Sequence, residues 1–156
     1  MIKLVRVDHR LVHGQVSFAW TKFLDSDCIL IASDALMNDS LKMSAMRMAK
    51  PADVKLVMKN IEDSAMNLNS GATDKYKLLI LCESVRDVYR LVQKTSCIQQ
   101  INLGGMKNQE GRRAISKAVY VDDADIEMIQ EMLHSGIKIS VQLVPDDKEV
   151  DVEKLL

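Results

Sequence analysis

The sequence predicts an α/β fold: an open, mostly parallel seven-stranded sheet with helices on both faces, in a single domain. Three observations lead there. β-rich and helical segments alternate from end to end, the signature of a parallel sheet built from crossovers. Several β-rich runs are apolar without interruption, such as Ile29-Leu30-Ile31 and Leu78-Leu79-Ile80-Leu81, as in strands covered on both faces. No Pro/Gly/Ser-rich linker, repeat or low-complexity tract divides the 156 residues, so residues 1–156 are read as one domain.

Taken in order, the first strand is Lys3–Val7. Val16, Ala19, Trp20 and Phe23 then recur at i, i+3, i+4, i+7, the spacing of one buried helical stripe. The second strand is Cys28–Ala32. A helix follows over Leu36–Ala49, rich in Met and Ala, and ends before Pro51 because a residue preceding proline resists the helical region. Val54–Met58 is the third strand, and Asn60–Asn69 a less regular helical pattern. After the fourth strand, Lys77–Leu81, Ser84 can cap a helix that turns Val85, Val88, Leu91 and Val92 inward. Gln100–Leu103 and Ala118–Val121 are the fifth and sixth strands. Asp122 or Asp123 can cap the next helix, with Ile126, Ile129 and Leu133 inside and Gly136 as its stop. Lys138–Leu143 is the seventh strand, and Asp147–Leu156 is expected to close the chain as a helix.

Composition narrows the function. Residues are 47% hydrophobic but only 4% aromatic, so Ala, Val, Ile, Leu and ten Met must fill the core; Met43, Met46 and Met48 are read as core filling. A net charge of −1 argues against electrostatic capture of nucleic acid or anionic lipid. Cys28, Cys82 and Cys97 form no C-x-x-C pair and are read as the reduced thiols of a cytoplasmic protein. No apolar run approaches the ~20 residues of a membrane span, and the start MIKLVRVDHR lacks the apolar core of a secretory signal. Neither G-x-G-x-x-G nor G-x-x-x-x-G-K-[ST] occurs, which leaves a dinucleotide or ATP site unsupported.

In open parallel sheets ligands bind at the carboxyl ends of strands, so the loops after the strands are where chemistry is sought. The loop after the first strand is the outstanding one: Arg6-Val7-Asp8-His9-Arg10-Leu11-Val12-His13-Gly14-Gln15-Val16. His13 stands at the entry to the first helix. The amides of its first turn, from Gly14 through Gln15 to Val16, and the helix dipole favour an anion beside the ring. A neutral imidazole has a nitrogen able to attack phosphorus, although a histidine here could also simply cap the helix. Arg10 can grip phosphate oxygens in two-pronged fashion. Asp8 can orient the imidazole through its other nitrogen or hold Arg10. Arg6, inside the strand, suits a structural partner of an acidic group. The pair Gly104-Gly105, after the fifth strand, can bring backbone close to a bound anion. His9 and His13 are four apart, but on a loop rather than one helix face, so no metal site is expected. Arg112 and Arg113 read as a solvated basic face or a contact for an acidic partner.

The pattern R-x-D-x-R-L-x-H-G-Q-V, Arg6 to Val16, resembles the phosphorylation site of IIB components of the bacterial sugar phosphotransferase system, mannose/fructose/sorbose family. N-L-G-G-M at Asn102–Met106 and A-V-Y-V-D at Ala118–Asp122 extend the likeness along the chain. The resemblance implies a protein-Nπ-phosphohistidine–sugar phosphotransferase working as a cytoplasmic phosphocarrier at the face of a membrane transporter. It implies that His13 is phosphorylated at Nδ1 by a IIA domain and passes the group to a sugar entering through membrane IIC and IID proteins. Arg10 would steady the phosphoryl group, and Asp8 would be the motif acid. His9 departs from the pattern, standing where many relatives carry an acid. No linked IIA domain is expected, since the chain starts at the IIB strand. No cofactor is needed, because the donor is already an activated phosphoramidate. The implied sugars span mannose, sorbose, fructose and N-acetylated amino sugars, and an exposed apolar helix face could support a homodimer. A regulatory binding module of similar fold is the alternative from a different class.

Overall fold

The computed structural model describes residues 1–156. Nine strands and five α-helices follow one another as β1 (Ile2–Asp8), α1 (Gly14–Leu24), β2 (Cys28–Ala32), α2 (Ser40–Ala49), β3 (Lys55–Lys59), α3 (Ile61–Ser70), β4 (Leu78–Cys82), α4 (Val85–Lys94), β5 (Gln100–Gly105), β6 (Arg113–Ala114), β7 (Tyr120–Val121), α5 (Asp123–His134), β8 (Lys138–Val141) and β9 (Val150–Asp151). The main sheet has seven strands in the order β3-β2-β4-β1-β5-β8-β9, and every pairing is parallel except β8 with β9.

The central strands β2 and β4 are buried at every residue, because helices cover both faces. On one side Trp20 of α1 and Met46 of α2 pack with Ile29, Ile31, Leu79 and Leu81. On the other, α3, α4 and α5 contribute Leu68, Val88, Leu91, Ile129 and Met132 against Val5, Val7, Leu30 and Ile80. The helix starts follow their capping chemistry. Asn60 accepts from the Asp63 amide, Ser84 from the Asp87 amide, and Asp122 forms a reciprocal capping box with Asp125.

Five expectations need correction. Of the methionines read as core filling, Met46 is buried but Met48 points to solvent, 88% exposed. The expected sixth strand lies outside the main sheet: Tyr120–Val121 pairs antiparallel with Arg113–Ala114 in a separate ribbon. Val119 and Val121 are apolar because they enter the core beside the sheet. The seventh sheet strand is instead β9, within the segment expected to be helical. There the Gln142 amide donates to Pro145 O and Asp147 O (3.2 and 3.0 Å), and the turn folds the chain back along β8. Val152 is then buried in a short 3₁₀ turn over Val152–Lys154. The helix expected over Leu36–Ala49 is broken: a 3₁₀ turn spans Ala35–Asn38, and Asp39 caps a fresh start by accepting from the Lys42 amide. Finally, α1 buries Ser17, Trp20 and Thr21, while Phe23 is 66% exposed. The helix is rotated so that Trp20 Nε1 donates to Leu143 O at 3.0 Å and Ser17 faces the helix entry.

This topology sets the position of the chemistry. β1 leads through α1 to one side of the sheet, and its neighbour β5 leads through α5 to the other, with the two helices on opposite faces. The carboxyl ends of β1 and β5 therefore flank a reversal of chain direction, where open sheets leave a crevice.

Candidate functional site

The site grows from the alternation of β1. Val5 and Val7 point to the face covered by α3, α4 and α5, while Leu4 packs on the side of α1. Arg6 and Asp8, in step with Leu4, are thus carried into the α1 side of the sheet, where both are nearly sealed from solvent (2% and 3% side-chain exposure).

Arg6 is fully engaged. Nη1 donates to Asn102 Oδ1 (2.6 Å) and Gln142 O (3.0 Å); Nη2 donates to Asp8 Oδ2 (3.1 Å) and Leu143 O (2.9 Å). The Trp20 ring lies 5.1 Å from its Cζ, within cation–π range. Burial pushes the guanidinium's pKa down and the Asp8 charge opposes that shift; an arginine stays charged regardless.

Asp8 is the hub. Oδ1 accepts the Arg10 backbone N–H (3.0 Å), and Oδ2 lies 2.9 Å from His13 Nε2. Burial works against the ionised carboxyl. The hydrogen bonds from His13 and from the Arg10 amide, with the Arg6 charge, outweigh it and hold the group below the usual aspartate value. An ionised carboxylate can only accept, so the proton of this contact belongs to His13 Nε2. In a neutral imidazole Nδ1 then carries the lone pair. It has no partner within the protein and is reached by solvent, in a side chain 13% exposed.

The chain between Asp8 and His13 is held in a defined shape. The Leu11 amide donates to Asp8 O (2.9 Å), closing a turn. Leu11 adopts φ +56°, unusual for a residue with a β-carbon, yet its side chain is buried with Val12 in the α1–α2 core. His13 occupies the cap position of α1, but its ring makes no capping hydrogen bond. Instead its backbone N–H donates to Ser17 Oγ (2.8 Å). Ser17 is the first helical residue with a carbonyl four back to bind, His13 O at 3.4 Å. The amides of Gly14, Gln15 and Val16 therefore lack an intrahelical acceptor. Gly14 has φ +45° and open space where a β-carbon would stand.

The other expected residues fall into place around this core. Arg10 is exposed, its guanidinium free beside the loop. Gly105 and Gly104 lie on β5, beside β1. A β-carbon on Gly104 would stand 2.0 Å from Arg6 Cζ, and one on Gly105 would stand 3.0 Å from Asp8 Oδ1. The glycine pair thus admits the Arg6–Asp8 pair to the sheet. His9 is half-buried, donates its backbone N–H to Gly105 O (3.0 Å), and keeps an unpartnered, buried Nδ1. Loops after the other strands are spent on links between helices: Glu83 meets Lys42 (3.3 Å) and Ser33 (3.4 Å), and Asp34 takes Arg90 (2.8 Å) and the Ile61 amide (2.9 Å). Arg112 lies 3.7 Å from both Asp122 and Asp125 at the start of α5.

Sequence reasoning missed Ser17, Trp20, Asn102 and the carbonyls of Gln142 and Leu143. The last two are main-chain groups from a distant turn and leave no side-chain signal. For Arg6 the signal was present, as two charges two residues apart in a strand otherwise buried.

The assembled groups suit an anion transferred to nitrogen: an unprotonated Nδ1, open helix-entry amides and a free guanidinium nearby. Comparison with known proteins agrees. The family described as the PTS system sorbose subfamily IIB component matches residues 2–156. The N-acetylgalactosamine-specific phosphotransferase enzyme IIB component 2 of Escherichia coli K12 is 32% identical over 155 residues, covering 99% of this chain and 98% of that protein. The mannose-specific EIIAB component of the same organism is 29% identical; it aligns with 100% of this chain but only 48% of its own length is covered. The crystal structure of the IIBSor domain of the sorbose permease from Klebsiella pneumoniae superposes with a TM-score of 0.94 at 28% identity, covering 99% of this chain and 94% of that one. Family match, whole-chain identity and fold agree, and the chain belongs to the sorbose-type IIB components, the sugar phosphotransfer modules of the phosphotransferase system.

Proposed function

We propose that His13 is the phosphoryl acceptor of this component, taking the group at Nδ1 from the phosphohistidine of a IIA domain and passing it to a sugar. The observation that carries this is the 2.9 Å contact between His13 Nε2 and Asp8 Oδ2. It protonates one ring nitrogen and leaves the other free for attack.

In the acceptance step the Nδ1 lone pair forms an N–P bond while the donor's N–P bond breaks. The donor imidazole leaves with that electron pair and takes up a proton. His13 keeps its Nε2–H, and the positive charge that develops on the ring is met by the Asp8 carboxylate. Arg10 and the amides of Gly14 and Gln15 are assigned to the phosphoryl oxygens. Gly104 and Gly105 act behind the pair rather than on the phosphate. In onward transfer the oxygen of a sugar hydroxyl forms an O–P bond as the Nδ1–P bond breaks; Nδ1 recovers its electron pair, and the hydroxyl proton passes to a base on the acceptor side or to solvent.

The donor assignment is supported by the EIIAB relative, whose name joins IIA and IIB in one chain. Membrane IIC and IID components are proposed as the acceptor side. No helix is long and apolar enough to cross a membrane; the proposed arrangement has this chain meet the sugar by docking on the cytoplasmic face of the transporter. Relatives named for N-acetylgalactosamine, sorbose and mannose point to a hexose or amino-sugar substrate.

Incubation with phospho-IIA followed by mass spectrometry tests the reading. One phosphoryl group is expected on His13, labile in acid and stable in base, and none on His13→Ala. Stoichiometric acid-labile labelling of His13→Ala, or a base-labile product, would overturn it.

A further inference from the structure

The regiochemistry of this site depends on a residue that never meets the phosphoryl group. Asp8 can fix the tautomer of His13 only if its own orientation is fixed. A lone aspartate carboxylate rotates broadly about its last torsion, and either oxygen could then accept from either ring nitrogen of a mobile imidazole. Here the Arg10 amide holds one oxygen and Arg6 Nη2 holds the other (3.0 and 3.1 Å). Arg6 is itself held by fixed acceptors, Asn102 Oδ1, Gln142 O and Leu143 O, at 2.6–3.0 Å. The guanidinium lies where a β-carbon on residue 104 would stand, 2.0 Å from Cζ.

We propose that Arg6, seated in the space Gly104 leaves open, is a positioning residue for phosphoryl transfer: it locks the Asp8 carboxylate onto His13 Nε2 and so makes Nδ1 the sole acceptor nitrogen. The assignment rests on His13 as acceptor and adds what selects between its nitrogens. It gives the two neighbouring glycines separate duties, Gly104 admitting Arg6 and Gly105 admitting Asp8. It also ties the site to the turn after β8, because two of the four groups that hold Arg6 are carbonyls of that turn.

Two variants reach the same feature by independent routes. Arg6→Lys keeps a charge beside Asp8 but lacks the planar fork that reaches several acceptors at once. Gly104→Ala leaves every polar group intact and displaces the guanidinium. The readout is the His13 tautomer in the full, unphosphorylated chain, followed by ¹⁵N NMR. A second readout is the ratio of Nδ1- to Nε2-phosphohistidine formed with phosphoramidate, which needs no protein donor. The unaltered protein is expected to show one tautomer, Nε2–H, and the Nδ1 isomer in large, measurable excess over the Nε2 isomer. In both variants the Nδ1–H form should emerge and the Nδ1:Nε2 ratio should fall by about tenfold, the scale of one lost charge-assisted hydrogen bond. A purely structural Arg6 would lower stability but leave tautomer and isomer ratio unchanged in the folded fraction, and that result overturns the proposal. So does a resolved Nδ1–H population in the unaltered protein, whether or not either variant folds. Because the tautomer is read before any transfer, its failure is distinct from a failure of IIA to phosphorylate His13.

Discussion

Asp8 carries three duties in one carboxylate: it balances Arg6, accepts from the loop amide of Arg10, and meets Nε2 of His13. Removing it leaves a guanidinium sealed in the sheet without its counter-charge. Asp8→Ala should therefore cost about 3–5 kcal/mol of unfolding free energy, measured by urea titration, far more than His13→Ala at the partly open ring. The pH dependence has a definite sign. The native carboxyl titrates below its unfolded value of about 3.9. Its stabilisation is thus complete above about pH 4 and is lost as pH falls through the lower native value. Unfolding free energy measured from pH 6 downward should show this loss in the unaltered protein and lack it in Asp8→Asn. At the thiols, burial pushes Cys28 upward and Cys82 far upward, while Cys97 is exposed. A thiol reagent should label one cysteine rapidly in the native protein and all three once it is unfolded.

Among the elements, α1 repays attention because its entry is part of the site. Ser17, buried on the helix, accepts the His13 backbone N–H, so the residue after the first turn anchors the residue before it. Ser17→Ala should leave that N–H without a partner and cost about 1–2 kcal/mol. Hydrogen exchange at the His13 amide should quicken as well, a local sign separating a loosened helix entry from general destabilisation. The preceding turn is held by a different device. Leu11 accepts a left-handed backbone because its side chain is buried; Leu11→Ala keeps the awkward φ and loses the burial, with an expected cost of about 2–5 kcal/mol in the same titration.

For the molecule as a whole, the sheet order places β1 between β4 and β5, with helices on both faces. The reactive loop thus springs from an interior strand, and its rigidity is inherited from the most deeply packed part of the fold. The margins are different: β9 is two residues long, and the β6–β7 ribbon pairs only Arg113 with Val121 and Ala114 with Tyr120. Native-state hydrogen exchange should rank accordingly, with β1, β2 and β4 opening last and β9 and the ribbon first. Retention of slow exchange in β9 with fast exchange in β1 would contradict this account of why the site is rigid.

Much of this was legible in the chain itself. The alternation of apolar runs and amphipathic segments determined the α/β class, β1 to β5, and the capped starts of α4 and α5, because pattern and capping act between residues close in sequence. The loop from Asp8 to Gln15 was legible for the same reason: its charged residues have no use in a mere connection. Tertiary structure alone decided the rest. Whether Ala118–Val121 joins the main sheet, and whether the last residues form helix or strand, depends on which backbone edge each segment meets: Tyr120–Val121 pairs with Arg113–Ala114, and Val150–Asp151 takes the edge of β8. The rotation of α1 followed from Trp20 reaching Leu143 O across the fold. The seating of Arg6 beside Asp8 depends on Asn102, Gly104 and the carbonyls of Gln142 and Leu143 converging on it from strands and turns roughly a hundred residues away in sequence. Local periodicity can say that a charged side chain enters the sheet, but only the packed neighbours determine what it meets there.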